Sequence, residues 1–131
     1  MPGKTERVGT ARARYSFAKH GGAVGDIVLD GDVVPKGAIL LDAVLKVTTA
    51  PDSAAHTATI ALKAEGAGDL QAAKKVEEAP WSTAGAKRGS LIATSAPVLT
   101  TARRSIVATI ATQALTKGKF TVFVRYLPPS V

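Results

Sequence analysis

Short apolar segments that alternate with polar residues constrain the fold of this chain more than any other feature of its sequence. The segment 56–65 is the clearest case, because every second position from 58 onward is aliphatic: Ala58, Ile60, Leu62 and Ala64. The positions between them are mostly threonine or charged. Successive side chains of a β-strand point to opposite faces of the sheet, so this pattern predicts a strand with one buried face.

A second alternating segment, 39–47, is compatible with two structures. As a strand it would bury one face that carries Ile39, Leu41, Ala43, Leu45 and Val47. A helix would place Asp42 and Lys46 four residues apart as an ion pair, so periodicity alone does not decide. Pro35 and Gly37 before the segment, together with its Val and Thr residues, favour the strand.

Similar segments recur about every ten residues and end at glycine or proline. We therefore predict an all-β protein, an antiparallel β-sandwich of jelly-roll type with about seven or eight strands. One short helix is predicted over residues 69–76, with Asp69 as its N-cap and two lysines near its end. An architecture of alternating strands and helices would need a helix after most strands, and the sequence offers only this one.

The distribution of charge divides the chain into two parts. Residues 1–14 are polar and basic, so we predict an extended N-terminal arm there and a single β-domain over residues 15–131, which is an ordinary length for one domain. The arm residues expected to contact a partner are Lys4, Arg7, Arg12 and Arg14.

The formal charge of +7 is compatible with two classes of partner, a nucleic acid or an acidic protein surface. Proteins that bind single-stranded nucleic acid interleave aromatic residues with basic ones, so that bases can stack on the rings. Only 5% of this chain is aromatic, and most of those residues fit a core. We therefore expect the arm to dock on an acidic protein surface, with direct nucleic-acid contact as the alternative.

The sequence offers little catalytic chemistry. The absence of cysteine removes thiol catalysis and thiolate metal sites, and two histidines are too few for a three-histidine centre. Asp26, Asp30 and Asp32 flank a turn, but their spacing does not match a calcium loop, and a solvated loop is the preferred interpretation. We expect no enzyme activity, cofactor, metal or small-molecule substrate. The N-terminus has no apolar segment and the chain has no stretch long enough to span a membrane, so we expect no membrane partner.

The single tryptophan, Trp81, lies between proline and serine in an irregular segment. Such a residue usually closes one end of a β-sandwich by covering apolar side chains. Tryptophan is also enriched at interface hot spots, so a contact between subunits is the second interpretation.

The sequence resembles the small capsid decoration, or cement, proteins of tailed bacteriophages. The resemblance runs from about residue 15 onward and involves strand and turn motifs, which are Tyr15–Ala18, Gly21–Gly25, Val34–Ile39, Thr48–Pro51, Ala58–Leu62, Gly68–Leu70, Ala79–Thr83 and Ala114–Phe120. These motifs contain no catalytic residues.

The resemblance implies a homo-oligomer, with a trimer favoured, that sits on the outer surface of the capsid and bridges subunits of the major capsid protein. Its role would be mechanical reinforcement of the shell in the virion, after synthesis in the host cytoplasm. The alternatives are a basic nucleic-acid-associated protein or another structural component of the virion, such as a head fibre or tail protein. No active-site residue carries over from such a family, and the basic arm is richer in Arg and Lys than the resembling portion.

Overall fold

The computed structural model describes residues 8–66, 69–89 and 98–129, which form nine strands and one short helix. These elements are β1 (Gly9–Ser16), α1 (Phe17–His20), β2 (Gly25–Val34), β3 (Ile39–Ser53), β4 (Thr59–Lys63), β5 (Gln71–Lys75), β6 (Gly85–Arg88), β7 (Val98–Leu99), β8 (Arg104–Ala111) and β9 (Leu115–Leu127). Within the described residues, no helix is long and apolar enough to cross a membrane.

All strand pairs are antiparallel, which confirms the predicted fold class. The strands form one sheet in the order β5–β4–β8–β2–β1–β9–β3–β6, with β7 paired to β3, and this sheet is curled as a half-barrel. We call β1, β9, β3, β6 and β7 the long-strand half, and β2, β8, β4 and β5 the short-strand half. The two halves are joined by only two residue pairs between β1 and β2, Ala13–Gly31 and Arg14–Asp30.

Gly31 is required where the two halves meet. Its φ of +141° lies in a region that side chains rarely adopt, and a Cβ built on it would lie 2.1 Å from the carbonyl oxygen of Arg12. The backbones of β1 and β2 therefore approach each other at a distance that only glycine permits.

The core lies on the concave face, where the alternating aliphatic residues of both halves converge. Leu45, Val122 and Val124 of the long-strand half and Ile60, Leu62, Ile106 and Ile110 of the short-strand half are all at most 1% exposed. The aliphatic positions predicted for the segment 58–64 are buried, as expected.

Three aromatic rings connect the two halves within this core. Phe120 lies between Tyr15 and Trp81, with ring centroids 5.1 and 4.8 Å away. The Trp81 indole N–H donates to the carbonyl oxygen of Ile60, at 3.2 Å. Trp81 is completely buried within its own chain, so it closes the core, and its ring is not available to a neighbouring subunit as the second interpretation required.

The predicted helix at residues 69–76 is wrong, because this segment forms a turn followed by β5. Asp69 accepts hydrogen bonds from the backbone N–H groups of Ala64, Glu65 and Gly66, all at 2.8 Å, and thereby fixes the turn. The residues after it pair with β4. Pairing with a neighbouring strand has outweighed the helix propensity of the Ala and Lys residues.

The alternation predicted for the segment 39–47 breaks at its start. A register shift between Leu40 and Asp42 turns Leu41 outward, where it is 38% exposed, and buries Leu40 in its place. Ala43, Leu45 and Val47 are buried as predicted. The bulge, which depends on the partner strand β9, leaves no signal in the periodicity of β3 itself.

The predicted boundary of the N-terminal arm also needs correction, because residues 9–14 belong to the sheet. Strand β1 pairs with β9 along its whole length, and Ala11, Ala13 and Tyr15 point into the core. In this strand the buried positions carry small alanines, and the exposed positions between them carry arginines. The composition of the segment is therefore polar, although every second side chain from Ala11 onward is buried. Residues 1–7 lie outside the described part of the chain.

Candidate interaction surface

The convex side of the long-strand half carries a continuous set of basic side chains. Alternate residues of β1, β9, β3 and β6 point away from the core, and the strand register aligns them into rows. We call this surface the basic face and define it by its six basic residues: Arg12, Arg14, Lys46, Arg88, Lys119 and Arg125.

The central row of the basic face has apolar residues in the middle and arginines at both ends. Arg12 pairs with Phe123, Phe123 with Val44, and Val44 with Arg88. Both arginines are exposed, whereas Phe123 and Val44 are half-buried between their neighbours. Directly opposed residues of an antiparallel pair lie on the same face of the sheet, so these four side chains share one surface across four strands.

One acidic residue, Asp42, lies within the rows. Its carboxylate receives a bidentate hydrogen bond from Arg125, with the Nε–Oδ1 distance at 2.8 Å and the second bond from NH2 to Oδ2. The hydrogen bonds from Arg125 hold the pKa of Asp42 below its usual value, and the charge of Arg88 acts in the same direction. Arg125 is thus satisfied inside the chain.

The other five cations of the basic face have no such internal partner. Within the described part of the chain, no side-chain hydrogen bond or ion pair forms at Arg12, Arg14, Lys46, Arg88 or Lys119. These positive charges are therefore available to an external anion.

A groove of about 290 Å³ lies at one end of the basic face. It is lined by Arg14, Lys19, His20 and Lys119 together with Asp30 and the edges of Tyr15 and Phe120. Lys19 forms an ion pair with Asp30, which lowers the pKa of that carboxyl. His20 stacks on Tyr15 with a centroid distance of 5.6 Å, and its side chain is only 10% exposed.

The convex side of the short-strand half is different in composition. Val28 pairs with Val107, and Asp26 with Thr109, which in turn pairs with Ala61. The Asp26 carboxylate accepts hydrogen bonds from Thr109 at 2.8 Å and Lys63 at 3.0 Å, and both lower its pKa. Val28 is 59% exposed. We call this surface the neutral face and define it by Asp26, Val28, Ala61, Lys63, Val107 and Thr109, of which the two charged residues are paired with each other.

Two of the four predicted contact residues lie within the described part of the chain. Arg12 and Arg14 lie on the basic face, but on β1, inside the sheet. Lys4 and Arg7 lie outside the described residues. Sequence reasoning missed four members of this surface, Lys46, Arg88, Lys119 and Arg125. The outward position of each in its strand is a local feature, but the register that brings them onto one face with Arg12 is not local.

The aspartates flanking the predicted turn are separated in the structure. Asp26 bonds to Thr109 and Lys63, Asp30 to Lys19, and Asp32 accepts the backbone N–H of Arg12 at 3.0 Å. Across residues 8–66, 69–89 and 98–129, no cluster of three potential metal ligands is present.

Comparison with solved structures shows that the fold occurs in phage capsids. The chain resembles one chain of the capsid of Ralstonia phage GP4, with a TM-score of 0.66 and 18% identity, over 98% of this chain and 88% of that one. For a chain of the cyanophage Pam1 capsid asymmetric unit, the TM-score is 0.65 and the identity 21%, over 98% and 90%.

A third similar chain belongs to the acidic stable capsid structure of Helicobacter pylori bacteriophage KHP30. Its TM-score is 0.63 and its identity 16%, over 95% of this chain and 91% of that one. No protein-family model matches the sequence, and a search of curated proteins finds no match. The likeness therefore concerns the fold, and it extends over nearly the full length of both chains in each case.

Proposed function

We propose that this chain is a structural protein of a tailed-phage virion, a decoration or cement protein that binds the outer surface of the major capsid protein shell and stabilises it. The observation that carries the proposal is the near full-length likeness to chains of three phage capsids at TM-scores of 0.63–0.66. The proposal involves no catalysis, cofactor or small-molecule substrate.

The surface of the chain is compatible with such a role. Among the described residues, five cations on the basic face form no side-chain hydrogen bond or ion pair, and a contact with an acidic shell would neutralise them. Exposed apolar side chains near the start of β3 provide a second kind of contact. Leu41 of β3 is 38% exposed, and Leu99 of the paired strand β7 is 56% exposed. We propose that such apolar residues contribute to contacts between copies in a homo-oligomer, with a trimer favoured.

Co-sedimentation with capsid shells tests the proposed function. Purified protein is mixed with expanded shells of its phage that lack this chain, the shells are pelleted, and bound protein is quantified per particle. We expect saturable binding at a fixed copy number, and decorated shells that resist heating better than bare ones. Absence of saturable binding, or no change in the temperature at which the shells disrupt, would contradict the proposal.

A gel shift with duplex DNA separates this proposal from the alternative of a nucleic-acid-associated protein. A protein whose main partner is nucleic acid would shift DNA with an affinity that falls steeply as salt increases. We expect weaker binding to DNA than to shells at the same salt concentration.

A further inference from the structure

We infer that the basic face is the side by which this protein docks on its partner, and that the partner presents an acidic protein surface. This inference rests on the proposed function, because it assigns the face that contacts the shell. It moves the point of attachment from a flexible arm to the rigid sheet.

The unpaired cations indicate that the docking surface of the partner is negatively charged. Arg12 and Arg88 lie at opposite ends of the central row, Arg14 and Lys46 lie in the adjacent row, and Lys119 lies one row further along β9. Inside the described part of the chain the side chains of these residues form no hydrogen bond or ion pair, whereas Arg125, Arg104 and Lys63 each pair with a carboxylate. Carboxylates on a partner would therefore provide the missing counter-charges.

The apolar centre of the row indicates a protein as the partner. Phe123 and Val44 are half-buried and lie between Arg12 and Arg88. Protein interfaces combine an apolar centre with a polar rim, and aromatic residues and arginine are enriched at their energetic hot spots. An acidic protein segment with an apolar residue at its centre fits this arrangement.

Nucleic acid fits the face less well. Asp42 lies within the rows, and Asp30 and Asp32 lie along the β2 margin beside Arg14 and Arg12. The evenly spaced phosphates of a duplex laid across the sheet would meet these carboxylates as well as the cations, whereas a protein can place its acidic side chains opposite the cations alone. Among the outward residues of β1, β9, β3 and β6 that form the rows, Phe123 is the one aromatic side chain, so the successive bases of a single strand would have no series of rings to stack on.

A second copy of the same chain does not fit the face either. In a two-fold symmetric contact the same surface is presented by both subunits, so cations would meet cations. A heterologous contact, as in a trimer, would need an acidic face on the neighbouring copy, and a chain with a formal charge of +7 is a poor source of one. The occupant is therefore a different molecule with an acidic surface.

The test compares charge reversals on two sides of the sheet. Arg12→Glu with Arg88→Glu reverses both ends of the central row. The matched control is Lys74→Glu with Lys75→Glu, which changes the net charge by the same amount at exposed positions of the edge strand β5. Arg12→Gln with Arg88→Gln is a milder variant that avoids placing a new carboxylate beside Asp32. Thermal unfolding identifies which variants fold like the wild type.

Binding is measured to bare shells, to labelled poly-L-glutamate and to a 30-base-pair DNA duplex, each at low and moderate salt. We expect the basic-face variants to lose about tenfold or more in affinity for both shells and poly-L-glutamate, whereas the β5 control loses less than about twofold. The affinity for shells is expected to decrease with salt for the wild type and much less for the basic-face variants.

The outcomes separate the inference from the proposed function. If the wild type and both sets of variants bind shells equally well, another face is used and the inference is wrong, although the proposed function stands. If the basic face prefers the duplex to the shells and poly-L-glutamate, the partner is nucleic acid and the inference is wrong in its partner. If the wild type binds neither shells nor poly-L-glutamate, both the inference and the proposed function fail.

Discussion

The two convex faces of this protein belong to one curled sheet but differ in how their charges are arranged. On the basic face, five cations form no side-chain hydrogen bond or ion pair with the part of the chain that the structure describes, and one ion pair, Arg125–Asp42, is present. On the neutral face, Lys63 pairs with Asp26, and the outward positions beside them carry Val28 and Val107. Because the concave faces of both halves form one core, folding requires neither pattern, and we attribute the difference to what each face contacts.

A further contrast between the two halves concerns the pairing of their charged side chains. In the short-strand half, Glu65 receives a bidentate hydrogen bond from Arg104, at 2.8 and 3.3 Å, and two more bonds from Thr101. These bonds, with those from Arg104 the largest, lower the pKa of Glu65 to about 2. The Glu65–Arg104 pair thus stabilises the fold, whereas five of the six cations on the basic face form no side-chain hydrogen bond or ion pair among the described residues.

The largest expected effect comes from breaking the link between the two halves. Trp81→Ala removes a ring that packs on Phe120 of one half and a donor to Ile60 of the other. We expect a loss of about 3–5 kcal/mol in the free energy of unfolding, measured by urea denaturation. Trp81→Phe keeps most of the packing but leaves the Ile60 carbonyl oxygen without this donor, so it should cost less, about 1–3 kcal/mol. Separate unfolding transitions for the two halves would contradict the single shared core.

The next effect concerns the junction between β1 and β2. Gly31→Ala places a Cβ against the carbonyl of Arg12 at a positive φ, and we expect it to cost about 1–3 kcal/mol. Gly66→Ala is the matched control, because a Cβ there meets no atom within 4 Å. Thermal unfolding of the two variants measures the difference. Equal stability of both would show that the halves do not need this close approach.

Acid titration sharpens the contrast between paired and free charges. The pKa of Glu65 is lower in the folded state than in the unfolded state, so its contribution to stability is complete above the unfolded value near 4.5. That contribution decreases as the pH falls from 4.5 toward 2. We expect Glu65→Gln to be less stable than the wild type at pH 7 and to lose less stability over this range, as urea denaturation at successive pH values will show. A wild-type curve parallel to that of the variant would contradict the assignment.

The smallest effect is expected at the one ion pair of the basic face. Asp42→Asn removes the carboxylate that occupies Arg125, so it frees a sixth cation on this surface. Exposed ion pairs contribute little to stability, and the melting temperature should change by only about 2 °C. Binding to poly-L-glutamate should become tighter by a few-fold, whereas Asp26→Asn on the neutral face should leave it unchanged. Weaker binding of the Asp42→Asn variant would indicate that the pair positions the surface.

The sequence predicted the local features of this fold and missed those that depend on distant partners. Alternation at residues 58–64 correctly indicated a strand with a buried face, because that periodicity is a property of the segment alone. The helix expected at 69–76 was wrong, since pairing of Gln71–Lys75 with β4 is decided by the tertiary structure. The bulge at Leu41 depends in the same way on β9.

The candidate surface was predicted in part. Arg12 and Arg14 were identified as contact residues from their charge, but their alternation with small alanines was taken for an arm. The central row joins residues 12, 123, 44 and 88, which are far apart in the chain and are aligned by the register of three strand pairs. Composition detects the excess of positive charge, and only the register shows that it is concentrated on one face.

The central claim is that the basic face docks on an acidic surface of the capsid shell, and a cryo-EM reconstruction of decorated shells tests it most directly. The account predicts that Arg12, Phe123 and Arg88 lie against acidic residues of the shell and that Val28 faces away from it. A reconstruction in which the basic face points to solvent while the neutral face contacts the shell would contradict the account.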